Sequence, residues 1–390
     1  MGLFNKNTSG EKTPNKPSPK KAKSLKRELI ELGVIAFIIV PLINMFVLQS
    51  YAIPTSSMEG ELLTGDKLFV SKLNFGPRIP NTPLAFPYVH DSLFGRRSYS
   101  KVPLLPYMRL PGFRDLQAGD IVVFNLPADA DRKIPVDRRT NYVKRCVAAP
   151  GDTFQVVNRD VYLNGQKQPL PPNHQFQYVI TLKTPDAYSS TVKALTKKGI
   201  YERNDRHRSP ISISLWLTDE NVAWAKTLPN VESVELDEAA VLPPGLAEKY
   251  YFPQNPAYNW NVDNFGPLYL PKKGDVIQLT AQNYPLYERA IKVYENNLTL
   301  SWANGSATLN GQPITEYTFK MNYFFMMGDN RHNSLDSRFW GYVPEDHIVG
   351  KPVFVWLSTQ DTPNSRHGFL KRMFNGEWKI RWNKSFRMVP

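Results

Sequence analysis

At 390 residues and 42% hydrophobic, the chain is long enough for two domains, or for one with large insertions, and apolar enough for a packed core. A net charge of +13 suggests nucleic acid at first sight, but Lys6, Lys12, Lys16, Lys20, Lys21, Lys23, Lys26 and Arg27 crowd the first 27 residues, and no nucleic-acid partner is expected. The single cysteine, Cys146, rules out an intrachain disulfide and a cysteine-based zinc site, and its apolar surroundings point to a core position.

Residues 1–28 are Lys-, Pro-, Ser- and Asn-rich and read as a disordered basic tail. An apolar run from Leu32 to Leu48, interrupted by Pro41 and Asn44, follows. Extended to Ile53, it would cross a ~30 Å hydrocarbon core at 1.5 Å per residue, which makes 29–53 a transmembrane anchor with the basic tail on the cytoplasmic side. The rival is a signal peptide cut after Ala52, since Ser50-Tyr51-Ala52 offers small residues at cleavage spacing. Beyond the run lies Ile53-Pro54-Thr55-Ser56-Ser57-Met58, whose two serines would sit on a short tether at the membrane exit.

Gly65-Asp66 reads as a turn and Lys67–Lys72 as an alternating strand. Gly76 to Ala118 is rich in Pro, Gly and aromatics without helical period: an irregular loop, or apolar surface dipping into the bilayer interface. Strands follow at Ile121–Leu126 and Tyr142–Val147, with a long polar connection, and then at Phe154–Val157 and Val161–Leu163, with Asn164-Gly165 as a hairpin turn. The middle changes character. Tyr178–Leu182, Ile211–Leu217 and Val231–Leu236 are strand-like. Between them lie a helix over Ser189–Lys198 closed by Gly199 and a second over Asp219–Leu228 capped by Thr218. This predicts an α/β insertion within 177–269, its strand–helix units spanning about Gln177 to Ala240. Strands resume at Gly274–Leu279, and Leu309-Asn310-Gly311-Gln312 echoes Leu163-Asn164-Gly165-Gln166 as an equivalent hairpin.

A serine hydroxyl is a poor nucleophile near pH 7 and needs a base. No histidine lies near Ser56 or Ser57 in sequence, so the best candidate is a lysine in an apolar strand, Lys144. Its pKa is ordinarily near 10.4, and holding it neutral at pH ~8 costs about 3 kcal/mol unless burial shifts it, with Val143, Cys146 and Val147 as the expected apolar neighbours. Arg145 should point to the opposite face of the strand. The polar run Gly328-Asp329-Asn330-Arg331-His332-Asn333-Ser334-Leu335-Asp336-Ser337-Arg338 is costly to bury unless its members satisfy one another. It is either a bonded surface loop with an Asp336–Arg338 pair or a shell that positions a catalytic group.

Ser57-Met58 after an apolar segment, Tyr142-Val143-Lys144-Arg145 before Pro150-Gly151-Asp152, and Gly328–Arg331 through Val343-Pro344 resemble, in order and context, the bacterial type I signal peptidases, membrane-anchored serine proteases with a Ser-Lys dyad. The resemblance implies a mainly β, antiparallel-sheet catalytic domain (54–176 and 270–390) carrying the α/β insertion behind one N-terminal transmembrane helix. It implies Ser57 as nucleophile, Lys144 as general base and Ser334 orienting the amine. The Ser57 N–H and the Thr55 hydroxyl would form the oxyanion hole, with Asp336–Arg338 as supporting ion pair and Asp329 close behind. Ile53 and Val143 would line the substrate pockets. The implied substrates are preprotein signal peptides with small residues at −1 and −3, cleaved outside the bacterial cytoplasmic membrane near the translocation machinery, with no metal or other cofactor. Three departures stand out. Glu59-Gly60-Glu61 replaces the usual x-Pro-Thr, which should loosen the turn after the nucleophile; His332 stands where Asp is usual; and the span from Lys144 to Gly328 is long. Two alternatives are a soluble Ser-Lys peptidase of the repressor type, against which the anchor speaks, and a catalytically inactive, anchored assembly or binding protein of the same fold.

Overall fold

The structure, a computed structural model, describes residues 25–86, 92–200, 209–238, 241–243, 245–360 and 379–390. Residues 1–24 of the expected tail lie outside these, whereas Leu25 already begins helix α1 (Leu25–Val34). The helical path runs on through a π turn, Ile35–Ile39, into α2 (Val40–Phe46). Pro41 explains the turn: it has no N–H to give and its ring crowds the preceding turn, so the Val40 N–H reaches back to the Ile35 carbonyl and the ladder widens. Lys26–Phe46, 21 residues with mean hydropathy 2.4, is long and apolar enough to cross a membrane. The helix ends seven residues short of the expected boundary at Ile53. Leu48–Ala52 is instead strand β1, paired antiparallel with β2 (Asp66–Ser71).

The fold is mainly β and antiparallel. The principal sheet adds β3 (Ile121–Asn125) and β4 (Asn141–Ala148). Further along the chain it also takes in Tyr323–Met327, Val343–Pro344 and the long strand Ile348–Gln360. From edge to edge the order is β1, β2, Ile348–Gln360, β3, β4, Tyr323–Met327, Val343–Pro344. The predicted hairpin of β3 and β4 forms with Val122 opposite Lys144 and Ile121 opposite Arg145. Ile53, Met58, Leu62, Leu68, Val70, Ile121 and Val123 make one apolar cluster against this sheet. Cys146 is fully buried in a second, with Phe324, Met326 and Trp340.

A smaller sheet is built on β5 (Thr153–Val157) and β6 (Asp160–Leu163). Asn164 and Gly165 turn its hairpin with φ of 52° and 78°, and Asn310 and Gly311 repeat that turn with 52° and 76°. The equivalence expected from the sequence echo therefore lies in backbone conformation. Positive φ at both central residues matches the right-handed twist of the flanking strands.

The α/β unit is a three-stranded sheet with β7 (Phe176–Leu182) in the centre, flanked by β8 (Ser212–Leu217) and β9 (Val231–Leu236). Helix α3 (Ala187–Lys198) ends on Gly199 at φ 87°, and α4 (Asp219–Ala225) starts at Thr218, whose hydroxyl accepts from the Asn221 N–H. It buries its own core, including Ile180, Leu195, Ile213, Leu215 and Val234. One boundary moves. Phe265–Tyr269, placed within the insertion by sequence, pairs with β5 and belongs to the smaller sheet, because Phe265 and Leu268 pack with Phe154 in the main core.

The C-terminal residues close over the segment between β1 and β2. Arg381 donates to the Thr64 carbonyl at 2.6 Å and to Ser358 Oγ at 2.9 Å. Arg387, next to Met388 in a short strand on Ile348–Gln360, donates to the Glu61 carbonyl and lies 3.4 Å from the Glu61 carboxylate. Fully buried Asp66 sits between the two arginines and accepts from the Leu63 N–H. Replacing Arg387 with Ala removes these bonds at a part-buried site, so the urea midpoint should fall by the equivalent of about 1–3 kcal/mol. An unchanged midpoint would show that the clamp contributes nothing.

Candidate active site

Ser57 and Lys144 come from chain segments 87 residues apart and meet at 2.6 Å, Lys144 Nζ to Ser57 Oγ. Both are buried, at 7% and 2% exposure. Lys144 also donates to the Val143 carbonyl at 2.9 Å, and its amine lies 5.2 Å from the centre of the Tyr142 ring. Burial lowers its pKa to about 8, against the opposing pull of Asp336 and Asp329. The shift is of the size anticipated from sequence, though the surroundings differ. Val143 lies in the cluster with Ile53 and Met58, while Val147 packs with Phe154 and Phe325 elsewhere. The aromatic ring beside the amine is Tyr142, two residues away on the same strand face, which the sequence reading passed over.

The turn after Ser57 is tight rather than loose. The Met58 carbonyl accepts from the Leu62 and Glu61 N–H groups at 2.8 and 3.1 Å. Gly60 has φ +103°, and a Cβ there would meet the Asn173 carbonyl oxygen at 2.0 Å. Glycine is thus required at a position where the resemblance leads one to expect proline, and Arg387 holds Glu61 from the far side. These contacts replace the rigidity that the missing residues would have given.

The polar run after Tyr323–Met327 grips the same turn. The Asn330 N–H donates to the Ser57 carbonyl at 3.1 Å and Asn330 Nδ2 to the Ser56 carbonyl at 3.2 Å. Asn333 Nδ2 donates to Ser56 Oγ at 2.7 Å. Ser56 is thereby engaged by Asn333, and Ser57 is the serine that faces the lysine. Neither asparagine was singled out from sequence. Their only signal was membership of the dense polar run.

The ion pairs divide differently from expectation. Asp336 and Arg338 form the expected bidentate pair, at 2.9 and 2.8 Å, with both side chains essentially inaccessible. Asp336 also accepts from the Gly328 N–H at 3.1 Å, and Arg338 donates to the carbonyls of Val262 and Arg331. Asp329, by contrast, is held by Arg145 at 2.9 and 2.6 Å on the opposite face of β4 from Lys144, where the two-residue period put that arginine. Ser334 is buried beside the site, but the expected bond from its hydroxyl to the lysine amine is not formed; the hydroxyl instead helps to hold the Asp336 carboxyl low. Thr55 is exposed, while Ile53 is buried in the cluster that Val143 borders.

The family model described as signal peptidase, peptidase S26, matches residues 26–209 and 272–357, well over half of the chain. The chain belongs to this family. It is therefore a serine peptidase, and the fold class expected from the resemblance holds. Signal peptidase I of Helicobacter pylori (strain ATCC 700392 / 26695) is 26% identical over 359 residues, covering 90% of this chain and 89% of that protein. Signal peptidase I of Buchnera aphidicola subsp. Acyrthosiphon pisum is 22% identical over 328 residues, covering 84% and 74%. That of Pseudomonas aeruginosa is 22% identical over 363 residues, covering 89% and 80%. The stretch between the two family matches, 210–271, contains β8, α4 and β9.

Gly328 packs where these parts converge. A Cβ there would meet Ser334 Oγ at 2.3 Å and the Ser57 carbonyl at 2.4 Å. Gly328→Ala must push the Ser57 backbone away, and a displacement of about 1 Å costs on the order of 100-fold in turnover. A Gly328→Ala protein with wild-type turnover and an intact melting transition would show that the packing does not control the serine.

Proposed function

We propose that the chain is a membrane-anchored endopeptidase that removes signal peptides from exported preproteins, with Ser57 as nucleophile and Lys144 as general base. The observation that carries this is the 2.6 Å contact between a buried serine hydroxyl and a buried lysine amine whose pKa is lowered to about 8. A neutral amine that gives one N–H to the Val143 carbonyl leaves its lone pair free to accept the Ser57 proton.

The chemistry then follows in two steps. Ser57 Oγ attacks the scissile carbonyl as its proton passes to Lys144 Nζ. Lys144 returns that proton to the leaving amine, and the acyl-enzyme remains. A water, giving a proton to Lys144, attacks the acyl carbonyl; the Ser57 ester bond breaks, the serine oxygen takes that proton back, and the signal peptide leaves with a free carboxylate. The oxyanion would be stabilised by the Ser57 N–H and the Thr55 hydroxyl. The bound chain would add as an extended strand beside Ile53-Pro54-Thr55 and β4, with small residues opposite Ile53 and Val143. Asp336–Arg338 would hold the Gly328 loop, and Ser334 and Asp329 would support it from within. The apolar helix Lys26–Phe46 would anchor the chain in the bacterial cytoplasmic membrane, the basic residues before it staying inside and the peptidase facing out. There it would meet preproteins leaving the translocation machinery.

Preprotein cleavage in detergent by wild type, Ser57→Ala, Lys144→Ala and Ser56→Ala tests the assignment. Loss by at least about 1,000-fold is expected for Ser57→Ala and Lys144→Ala, and retained activity for Ser56→Ala. Cleavage by Lys144→Ala at the wild-type rate would overturn the mechanism. A wild type inactive on every preprotein would favour an anchored assembly protein.

A further inference from the structure

The segment that enters the α/β unit runs alongside the loop that holds Ser57. The Gln175 N–H donates to the Asp329 carbonyl at 2.9 Å, the Arg331 N–H donates to the Gln175 carbonyl at 2.8 Å, and Gln175 pairs parallel with Asn330. Two residues on, the Gln177 N–H donates to His332 Nδ1 at 3.2 Å. Gln177 lies in β7, the central strand of the inserted sheet. The other ring nitrogen of His332, Nε2, lies 2.8 Å from Asp263 Oδ1. Asp263 belongs to the returning segment just before Phe265–Tyr269 rejoins the smaller sheet. One side chain thus ties both the entry and the exit of the inserted unit to the loop whose Asn330 and Asn333 grip Ser56 and Ser57.

The ring is confined. His332 has a 1% exposed side chain and meets the Phe176 ring edge-on at 5.1 Å. Because Nδ1 accepts from a backbone N–H, its proton must sit on Nε2, which donates to Asp263. Arg159 stands behind that carboxylate at 3.6 Å, and Arg338 also acts on it electrostatically. An aspartate at position 332 would accept from Gln177 but set a second carboxylate against Asp263. The histidine is therefore matched to this insertion.

We propose that His332 is a positioning residue: through its two ring nitrogens it locks the entry and exit of the α/β unit to the Gly328–Ser334 loop, so that the insertion sets the Ser57–Lys144 geometry. This rests on the Ser57–Lys144 assignment above. His332→Phe keeps a ring against Phe176 and loses both bonds. Its kcat should fall by about 10-fold with KM changed by less than about twofold, the pattern of misplaced catalytic groups with intact binding. If the loosened loop also admits water to Lys144, the acid limb of kcat moves up by about one pH unit towards the ordinary lysine value. A merely structural histidine would move neither kcat nor the limb in protein that still melts cooperatively.

The experiment uses the full chain in detergent with a preprotein substrate, and compares wild type, His332→Phe, His332→Asn, His332→Gln and Ser57→Ala. Asn can still accept from Gln177 and Gln can still donate to Asp263, so both should fall between wild type and Phe. Wild-type kcat and acid limb in folded His332→Phe would overturn the proposal. Should His332→Phe fail to fold, wild-type values in both Asn and Gln variants would do the same. Ser57→Ala separates the two failures: if it remains active, the nucleophile assignment falls, whereas an inactive Ser57→Ala beside a wild-type-like His332→Phe overturns only the role of His332.

Discussion

Everything in the site depends on keeping one amine dry. In water Lys144 would hold its proton across the neutral range and could not act as a base. Burial in β4 against Tyr142, at 2.6 Å from Ser57, removes the solvent that stabilises the ammonium. Asp336 and Asp329 pull in the other direction, and the site limits that pull by giving each carboxylate its own arginine. Arg338 takes Asp336, and Arg145 takes Asp329 from the opposite strand face. Two bidentate pairs thus neutralise acids that would otherwise raise the lysine's pKa again. Breaking either pair would leave an unpaired carboxylate within electrostatic reach of the lysine, which is more damaging than the pair's modest net stabilisation suggests.

The serine is held by different means. Its turn has no regular secondary structure of its own and is clamped from three directions. Asn330 and Asn333 bond to Ser56 and Ser57, Gly328 allows close approach to the Ser57 carbonyl, and the C-terminal arginines fix the loop that leads to β2. Asp66, with no exposure, links the last of these to the sheet. The proposed catalytic pair is thus a strand lysine facing a serine suspended by side chains from distant parts of the chain.

Much of this was legible in sequence wherever a local period existed. The alternation of β2 and the apolar runs of β3 and β4 predicted the strands, the two-residue period gave the facing directions of Lys144 and Arg145, and Gly199 and Thr218 marked helix ends through their own backbone chemistry. The Ser57, Lys144 and Asp336–Arg338 positions could be named because whole motifs surround them. What could not be read were contacts without a period. Arg387 reaches Glu61 across 326 residues, and His332 reaches Gln177 and Asp263 across 155 and 69. Nothing local announces them. The helix end was misjudged because Leu48 to Ala52 is as compatible with a strand as with a continuing apolar helix, and pairing with β2 decides the matter. The resemblance implied Asp329 close behind the Asp336–Arg338 pair, but gave no partner for it; the structure pairs it with Arg145 on the neighbouring strand.

The central claim is that the amine of Lys144 is neutral near pH 8 because it is buried beside Ser57. Its most direct test is a titration of that amine itself, by NMR of isotope-labelled lysine in the full chain in detergent, with Lys144→Arg identifying the resonance. A midpoint near pH 8 is the result this account predicts. A midpoint near the ordinary value of about 10.4 would contradict it, because the lysine would then carry its proton at the pH where it must accept one from Ser57.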